Sequence, residues 1–319
     1  MKPLRIAVIG SLNMDVVVEA PRQPKMGETI SGDHVHFISG GKGANQAVAA
    51  ARLGAHTAMI GSLGRDAFGD SLEKAMKQEG IQVNTIKRVE NAPTGIASIL
   101  LAEGDNQIIV VAGANAHTSM ADVDLHADTV KAADIVLLQL EIPIETVVYT
   151  AKLAKEAGKM VILNPAPAQK LPDELFGYID VMTPNESELY LLTGMEQDQA
   201  TDQATDQATD QENTLPVAMK ALHAKGVKHV VTTLGSTGSA YLINGETFGT
   251  IASHKVQVVD TTGAGDSYNA GLAYALASGQ SIPEAVEFAS VVSALAVTKL
   301  GAQQGMPTMK EVLAFQSKC

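Results

Sequence analysis

The chain is predicted to be an α/β protein, a doubly wound and mostly parallel sheet flanked by helices, with a small β-sheet lid. Three observations lead there. From Thr57 onward, short apolar runs alternate with longer helical segments, as in sheets whose strands are buried on both faces. Most of those helical segments stop at a glycine, among them Gly80, Gly158, Gly194 and Gly226, the residue that closes a helix in the left-handed conformation. Two stretches, about 12–38 and 94–112, hold β-like segments with few helix signals between them, which makes a second sheet within one 1–319 domain.

Taken in order, Leu4–Ile9 is a buried-strand run that breaks at Gly10-Ser-Leu-Asn-Met-Asp15. If the chain stays extended there, Asn13 and Asp15 share a side and suit the hydroxyls of a polyol; turn chemistry is the other reading. Val16–Glu19, Glu28–Phe37, Thr94–Leu101 and Gln107–Val111 are the expected lid strands, with Gly104-Asp-Asn106 as a hairpin turn. His34 and His36 fall on one face, but with no third ligand in view they are assigned to a surface or an interface rather than to a metal. Ser39–Gly54 combines a glycine turn with a small-residue helix, and Lys42 and Asn45 project from it between lid and sheet. Its spacing is not that of a Walker A loop, and no dinucleotide fingerprint follows the first strand.

The alternation then gives strand Thr57–Ser62 with helix Asp66–Glu79, and strand Ile135–Leu140 with helix Ile144–Ala157. Strands Met160–Leu163 and Asp180–Thr183 precede helix Glu186–Thr193, and helix Leu215–Lys225 precedes strand His229–Leu234. Ligands of such sheets lie at the carboxyl ends of the strands, where Asn13, Glu141, Asn185, Gly235 and Gly263 fall. One shared cleft is expected. Between these elements, Ala200–Gln211 repeats Ala-Thr-Asp-Gln three times, a polar expansion expected as a surface loop over 197–213.

Two further turns face the expected cleft. Asn185 and Glu188 start a helix on one face, suited to magnesium-bound water or phosphate, or alternatively forming its cap. Thr233-Leu-Gly-Ser-Thr-Gly238 is a glycine turn after a strand. The most informative stretch comes last: Lys255–Val259 alternates like a strand, Gly263 and Gly265 make a turn, and Ala270–Ala277 continues as a helix. Backbone amides at such a helix start bind phosphate. Asp266 stands inside that anion site, where it either caps the helix or accepts a proton from an incoming hydroxyl.

Composition narrows the function. The chain is 45% hydrophobic and 4% aromatic, with a net charge of −12 and no basic block, which argues against nucleic acid or an anionic membrane as partner. The N-terminal apolar run is too short for a signal peptide, and no later run is long enough to span a membrane. Cys319 is the only cysteine, so no intrachain disulfide forms; a reducing, cytoplasmic setting is expected.

Two long motifs, Gly40-Gly-Lys-Gly-Ala-Asn-Gln46 with Gly61-Ser-Leu-Gly64 behind it, and Asp260-Thr-Thr-Gly-Ala-Gly-Asp266, resemble the paired signatures of the ribokinase / phosphofructokinase-B sugar kinases. The similarity extends to Gly10–Asp15, Gly27-Glu-Thr29 and Asn164-Pro-Ala-Pro-Ala168. It implies ATP-dependent phosphorylation of ribose at O5, with a related acceptor or a non-catalytic sugar-binding regulator as alternatives. It also implies roles. Asp266 would be the base and the amides of Gly263, Ala264 and Gly265 the anion hole. Asn13, Asp15, Gly41, Lys42, Asn45 and Glu141 would hold the sugar. Asn185 and Glu188 would lie near magnesium and the phosphates, with Thr233, Gly235, Gly238, Gly265 and Ser290 around the nucleotide. A potassium ion would be held at Asp260, Thr262, Ala296, Lys299, Gly301 and Gly305. A homodimer paired through the lid completes the implied picture. A sugar-phosphate acceptor would need basic groups near the lid, where Arg22, Lys25, Lys87 and Arg88 are the candidates, in what look like solvated loops.

Overall fold

Arg5–Ile9 (β1) lies in the middle of the main sheet, and its alternating side chains define the two layers packed on it. Ile6 and Val8 join one buried cluster, while Ala7 and Ile9 join the other. The computed structural model describes residues 3–195 and 208–317, of which 208–213 by backbone alone.

After β1 the chain leaves the main sheet for β2 (Asn13–Glu19) and β3 (His34–Gly40). It returns through α1 (Lys42–Arg52), β4 (His56–Gly64), α2 (Ala67–Gln78) and β5 (Ile86–Val89), then leaves again for β6 (Gly95–Ala102) and β7 (Asp105–Val111). Helices α3 (Met120–Leu125) and α4 (Ala127–Ala132) lead to β8 (Ile135–Leu138), α5 (Ile144–Glu156), β9 (Met160–Leu163), α6 (Asp173–Phe176) and β10 (Val181–Met182). Next come α7 (Glu186–Thr193), α8 (Ala208–Ala224), β11 (His229–Thr233) and the hairpin β12 (Gly238–Ile243) and β13 (Thr247–Ala252). Four helices finish the chain: α9 (Ala264–Ala277), α10 (Ile282–Ala296), α11 (Ala302–Gly305) and α12 (Met309–Gln316).

The main sheet has the order β13-β12-β11-β10-β9-β8-β1-β4-β5. It is parallel from β5 to β11 and antiparallel only at the β12–β13 edge. One layer carries α1, α2, α9, α10 and α12; the other carries α3 to α8. This is the doubly wound arrangement that the glycine-closed helices predict. α9 and α10 approach closely at Gly271, where an added Cβ would lie 3.1 Å from Ala289 Cα. The small sheet has the order β3-β2-β6-β7, with β2 and β6 parallel and the outer pairs antiparallel. Among the described residues no helix is long and apolar enough to cross a membrane.

Four local expectations need correction. The third strand runs over His34–Gly40 rather than Glu28–Phe37, because Gly40 pairs with Asn13 at one end while Glu28 is held in a turn by Arg22 and the Lys25 amide. The β6–β7 turn is Glu103-Gly104, both at positive φ, since Asp105 and Asn106 already pair with Ala102 and Leu101. Lys255–Val259 is not a strand. The hairpin at Asn244-Gly245 lets β13 take the sheet edge and pair with β12 along its whole length, so the following residues find no partner strand. Lys87 and Arg88 lie in β5, not in solvated loops. As for the repeat, α8 opens at Ala208, and residues 196–207 lie outside the described residues, as does Cys319.

Candidate active site

A polar pocket is made where β1 passes into β2. Gly41, at φ +90, brings the start of α1 against that crossing: an added Cβ would lie 2.6 Å from the Asn13 amide, and one at Gly43 would lie 2.6 Å from that of Ser11. Glycine is required here for close approach. The approach lets Glu141, just past β8, accept from the Lys42 amide at 3.1 Å and from the Ser11 hydroxyl. Asn115 bridges from the other side, accepting from the Leu12 amide at 2.9 Å and donating to Asn13 Oδ1 at 2.7 Å. Asp15 packs on Gly40, which has no side chain to displace it.

Asp266, in the first turn of α9, is buried and faces this pocket. Asn45 Nδ2 donates to its Oδ2 at 2.9 Å and Gln46 Nε2 to its Oδ1 at 3.1 Å. Burial pushes its carboxyl upward, and that outweighs the Lys42 charge and the two amides that favour the charged form. Burial, with the charges of Glu141 and Asp266, lifts Asp15 to about 7. Burial alone would lower Lys42, but Asp266, Glu141 and Glu188 outweigh it and keep its ammonium charged. One cation among several carboxylates, most of them desolvated, is a setting in which protons change hands easily.

A cleft of about 490 Å³ lies between β11, β12, α9 and α10. Thr233, Gly235, Gly238, Gly265 and Ser290, all expected at the nucleotide, line it. Its floor is the N-terminus of α9, whose first backbone bond of helical span runs from Ser267 N to Gly263 O, so the amides before it have no partner within the helix. The Ala264 amide, expected in an anion hole, donates to Thr261 O at 3.2 Å, leaving Gly265 as the better-placed donor. Asn185 and Glu188 satisfy each other in a capping box on α7, Oδ1 accepting from Glu188 N and a Glu188 oxygen from Asn185 N, both at 2.8 Å. They still border the site, since Asn185 bridges Thr233 and Glu188 senses Lys42. A second cleft of about 490 Å³ opens at the amino ends of β1 and β4, lined by none of the expected residues.

Beside the α9 start, Asp260 accepts from Thr262 N (2.9 Å), Thr262 Oγ1 (2.7 Å) and Gly301 N (2.8 Å). Burial pushes Asp260 up, but these donors together take it below the usual carboxylate range. Carbonyls of Ala296 and Lys299 converge on Gly305, where a Cβ would lie 2.5 and 3.5 Å from them. An ionised carboxylate beside converging carbonyls fits a weakly hydrated monovalent cation. The Lys299 side chain turns away to Glu311 at 2.7 Å, so only its backbone faces the loop. Among the described residues no group of three His, Cys, Asp or Glu is placed to hold a metal ion, and His36 pairs with Glu19 at 3.1 Å.

The pfkB family carbohydrate kinase model matches residues 4–309. The chain belongs to this family. Ribokinase of Haemophilus influenzae is 41% identical over 97% of each chain, and ribokinase of Bacillus subtilis is 40% identical over 96% of this chain and 97% of that one. The solved structure of Arabidopsis thaliana ribokinase with ribose and ATP superposes with a TM-score of 0.88 at 39% identity, covering 98% of both chains.

In this pfkB kinase, the residues expected at the sugar gather around Asp266 and those expected at the nucleotide line one cleft, but sequence reasoning missed the polar side chains behind them. Ser11, Gln46, Asn115, Gln139, Asn164 and Gln303 all bond to expected residues or to one another. Gln46 was readable, being the last residue of the glycine motif. Ser11 and Asn164 stand in stretches that carry the resemblance, Gly10–Asp15 and Asn164–Ala168, whereas Asn115, Gln139 and Gln303 are isolated in sequence and carry no local signal. Three of the four basic residues considered for a second phosphate are engaged elsewhere: Arg22 with Glu28, Lys87 with Asp122, and Arg88 with Glu73.

Proposed function

We propose that the protein transfers the γ-phosphoryl group of ATP to O5 of D-ribose, giving ribose 5-phosphate and ADP. The observation that carries this reading is Asp266: a buried carboxyl at the boundary between a polyol pocket and a nucleotide cleft, one residue from the amide of Gly265. The likeness to a relative whose structure holds ribose and ATP supports it over the whole chain.

In this reading Asn13, Asp15, Lys42, Asn45 and Glu141 hold the sugar hydroxyls, and Asp266 takes the O5 proton. The O5–H bond breaks toward Asp266, O5 bonds to the γ-phosphorus, and the bond from that phosphorus to the bridging oxygen breaks with its electrons leaving on ADP. The Gly265 amide and the positive end of α9 stabilise the charge on the transferring group, and Lys42 offsets the negative charge around it. Glu188 and Asn185 would border a magnesium ion, which when bound neutralises phosphate charge. Asp260 and the carbonyls of Ala296, Lys299, Gly301 and Gly305, with Thr262 beside them, would hold potassium, which when bound fixes the loop against the α9 start. Arg22, Lys87 and Arg88 are paired with carboxylates rather than free to hold a second phosphate, which favours ribose over a sugar phosphate.

The small sheet is proposed as a lid over the sugar and as the surface of a homodimer. Val35, Phe37, Ile108 and Ile109 are more than half exposed on it, more apolar surface than a lone sheet would leave in water. A cytoplasmic setting suits a chain whose sole cysteine is Cys319. The test is ADP release with magnesium-ATP and a panel of ribose, 2-deoxyribose, fructose and fructose 6-phosphate, in potassium and in sodium. Ribose fastest, and faster in potassium, is the expected result; another acceptor winning would redraw the sugar contacts.

A further inference from the structure

Asp266 is gripped by two amides, and each amide is gripped from behind by a glutamine. On one side Gln139 Nε2 donates to Gln46 Oε1 at 2.6 Å, and Gln46 Nε2 donates to Asp266 Oδ1 at 3.1 Å. On the other, Gln303 Nε2 donates to Asn45 Oδ1 at 3.2 Å, and Asn45 Nδ2 donates to Asp266 Oδ2 at 2.9 Å. All five side chains are buried, Gln46 and Gln139 completely.

A glutamine amide has an accepting end and a donating end, and turning it over exchanges them. Because Gln46 Oε1 accepts from Gln139, only the NH₂ end of Gln46 faces the carboxylate; its second hydrogen points to Asn164 Oδ1 at 3.4 Å. Gln139 therefore decides which way Gln46 is turned. Its own Oε1 is buried without a hydrogen-bond partner among the described residues, in space that only the bare Cα of Gly10 leaves open, a Cβ there being 1.9 Å away. Filling that space with an orphaned oxygen is unfavourable, and an apolar side chain would fill it better. The donating end of Gln139 is what its presence there supplies.

We propose that Gln46 and Gln139 are positioning residues for phosphoryl transfer: Gln139 sets the orientation of the Gln46 amide, and Gln46 fixes the Asp266 carboxylate toward the acceptor hydroxyl. The inference rests on Asp266 being the base.

The test uses the full chain with Gln139→Met, Gln46→Met and the double variant, measuring kcat, KM and Kd for ribose, thermal midpoint, and the pH dependence of kcat. Gln139→Met loses about tenfold in kcat and Gln46→Met about thirtyfold, with ribose Kd within about twofold. The double variant is no slower than Gln46→Met, because Gln139 acts only through Gln46. In each, the acid limb of kcat moves to higher pH, since the charged carboxylate has lost a donor while Lys42, Glu141 and Asp15 still face it. A purely structural role would lower the thermal midpoint and leave that limb in place. Multiplied losses in the double variant, or unchanged kcat with an unmoved limb, overturn the proposal. Should Gln139→Met not fold, the limb and the kcat against KM response of Gln46→Met decide. Asp266→Asn is measured alongside: near-normal turnover there removes the base itself, whereas a dead Asp266→Asn beside a normal Gln46→Met overturns the positioning role alone.

Discussion

The acceptor pocket and the nucleotide cleft meet at Gly265 and Asp266, yet they are built from different materials. The pocket is made of charged and amide side chains fixed before any ligand arrives: Asn13 by Asn115, Glu141 by Ser11, and Asp266 by Asn45 and Gln46. The cleft is lined mostly by small residues such as Ser236, Ser239, Ser293 and Ala294, with His254, Lys255 and Tyr268 its larger polar members. Sugars differ by the placement of single hydroxyls, which only placed side chains can read. A nucleotide carries its own charge and a flat base, which a helix end and a slot of the right width can hold. The proposed chemistry lies where the two kinds of construction touch.

That contrast is broken most decisively at its boundary. Asp266→Asn keeps the shape but removes the proton acceptor and turns an NH₂ toward one of the two amide donors, so turnover falls by about three orders of magnitude or more while ribose Kd, read by calorimetry, changes little. Near-normal turnover would take the base away from Asp266. One residue earlier, Gly265→Ala tests the backbone side. An added Cβ at Gly265 meets nothing within 4 Å, so the fold accepts it, and alanine is the better helix residue. The methyl stands in the space proposed for the phosphoryl group. Turnover drops about a hundredfold with the thermal midpoint held or raised, and an unaffected rate would move that group elsewhere.

The same contrast governs what the sequence disclosed. Glycine turns are conspicuous in a sequence, and Gly41, Gly263 and Gly265 marked both halves of the site. Parallel strands such as β9 (Met160–Leu163) were legible because burial on both faces makes them unbroken apolar runs. Lys255–Val259 carried a strand pattern yet forms none, because strand formation needs a partner and β13 had taken it. The Asn244-Gly245 hairpin responsible was readable from its turn residues. Gln139 and Gln303 were not readable at all: their partners lie 93 and 258 residues away. A polar side chain has no periodicity of its own, so only the folded chain shows which ones meet.

Asp15 sharpens the comparison through pH. Its carboxyl, pushed up to about 7 by burial and by Glu141 and Asp266, is protonated more readily folded than unfolded. The folded state thus binds the extra proton between about 4 and 7, and its contribution to the stability of the ligand-free protein falls as pH rises through that window. Hydroxyls of a bound sugar donate to the charged form, so ribose affinity should rise about tenfold from pH 6 to pH 8. Calorimetry across that range checks it, and Asp15→Asn should flatten the slope. ATP affinity, set by backbone, should not follow the same curve, and a parallel slope would show that Asp15 acts on both ligands.

The smallest effect belongs to Ser290, buried on α10 at the wall of the nucleotide cleft. If the cleft reads shape, one hydroxyl among several serines matters little: Ser290→Ala should change the ATP KM by less than about threefold, an amount below one ordinary hydrogen bond. Bulk at the same position should matter more than polarity, so Ser290→Met, which narrows the slot, should raise the ATP KM more than Ser290→Ala does while leaving ribose Kd alone. A large loss in Ser290→Ala with little further loss in Ser290→Met would reverse the order. It would mean that this wall recognises the base by a placed donor or acceptor, and that the nucleotide side, too, is built from side chains.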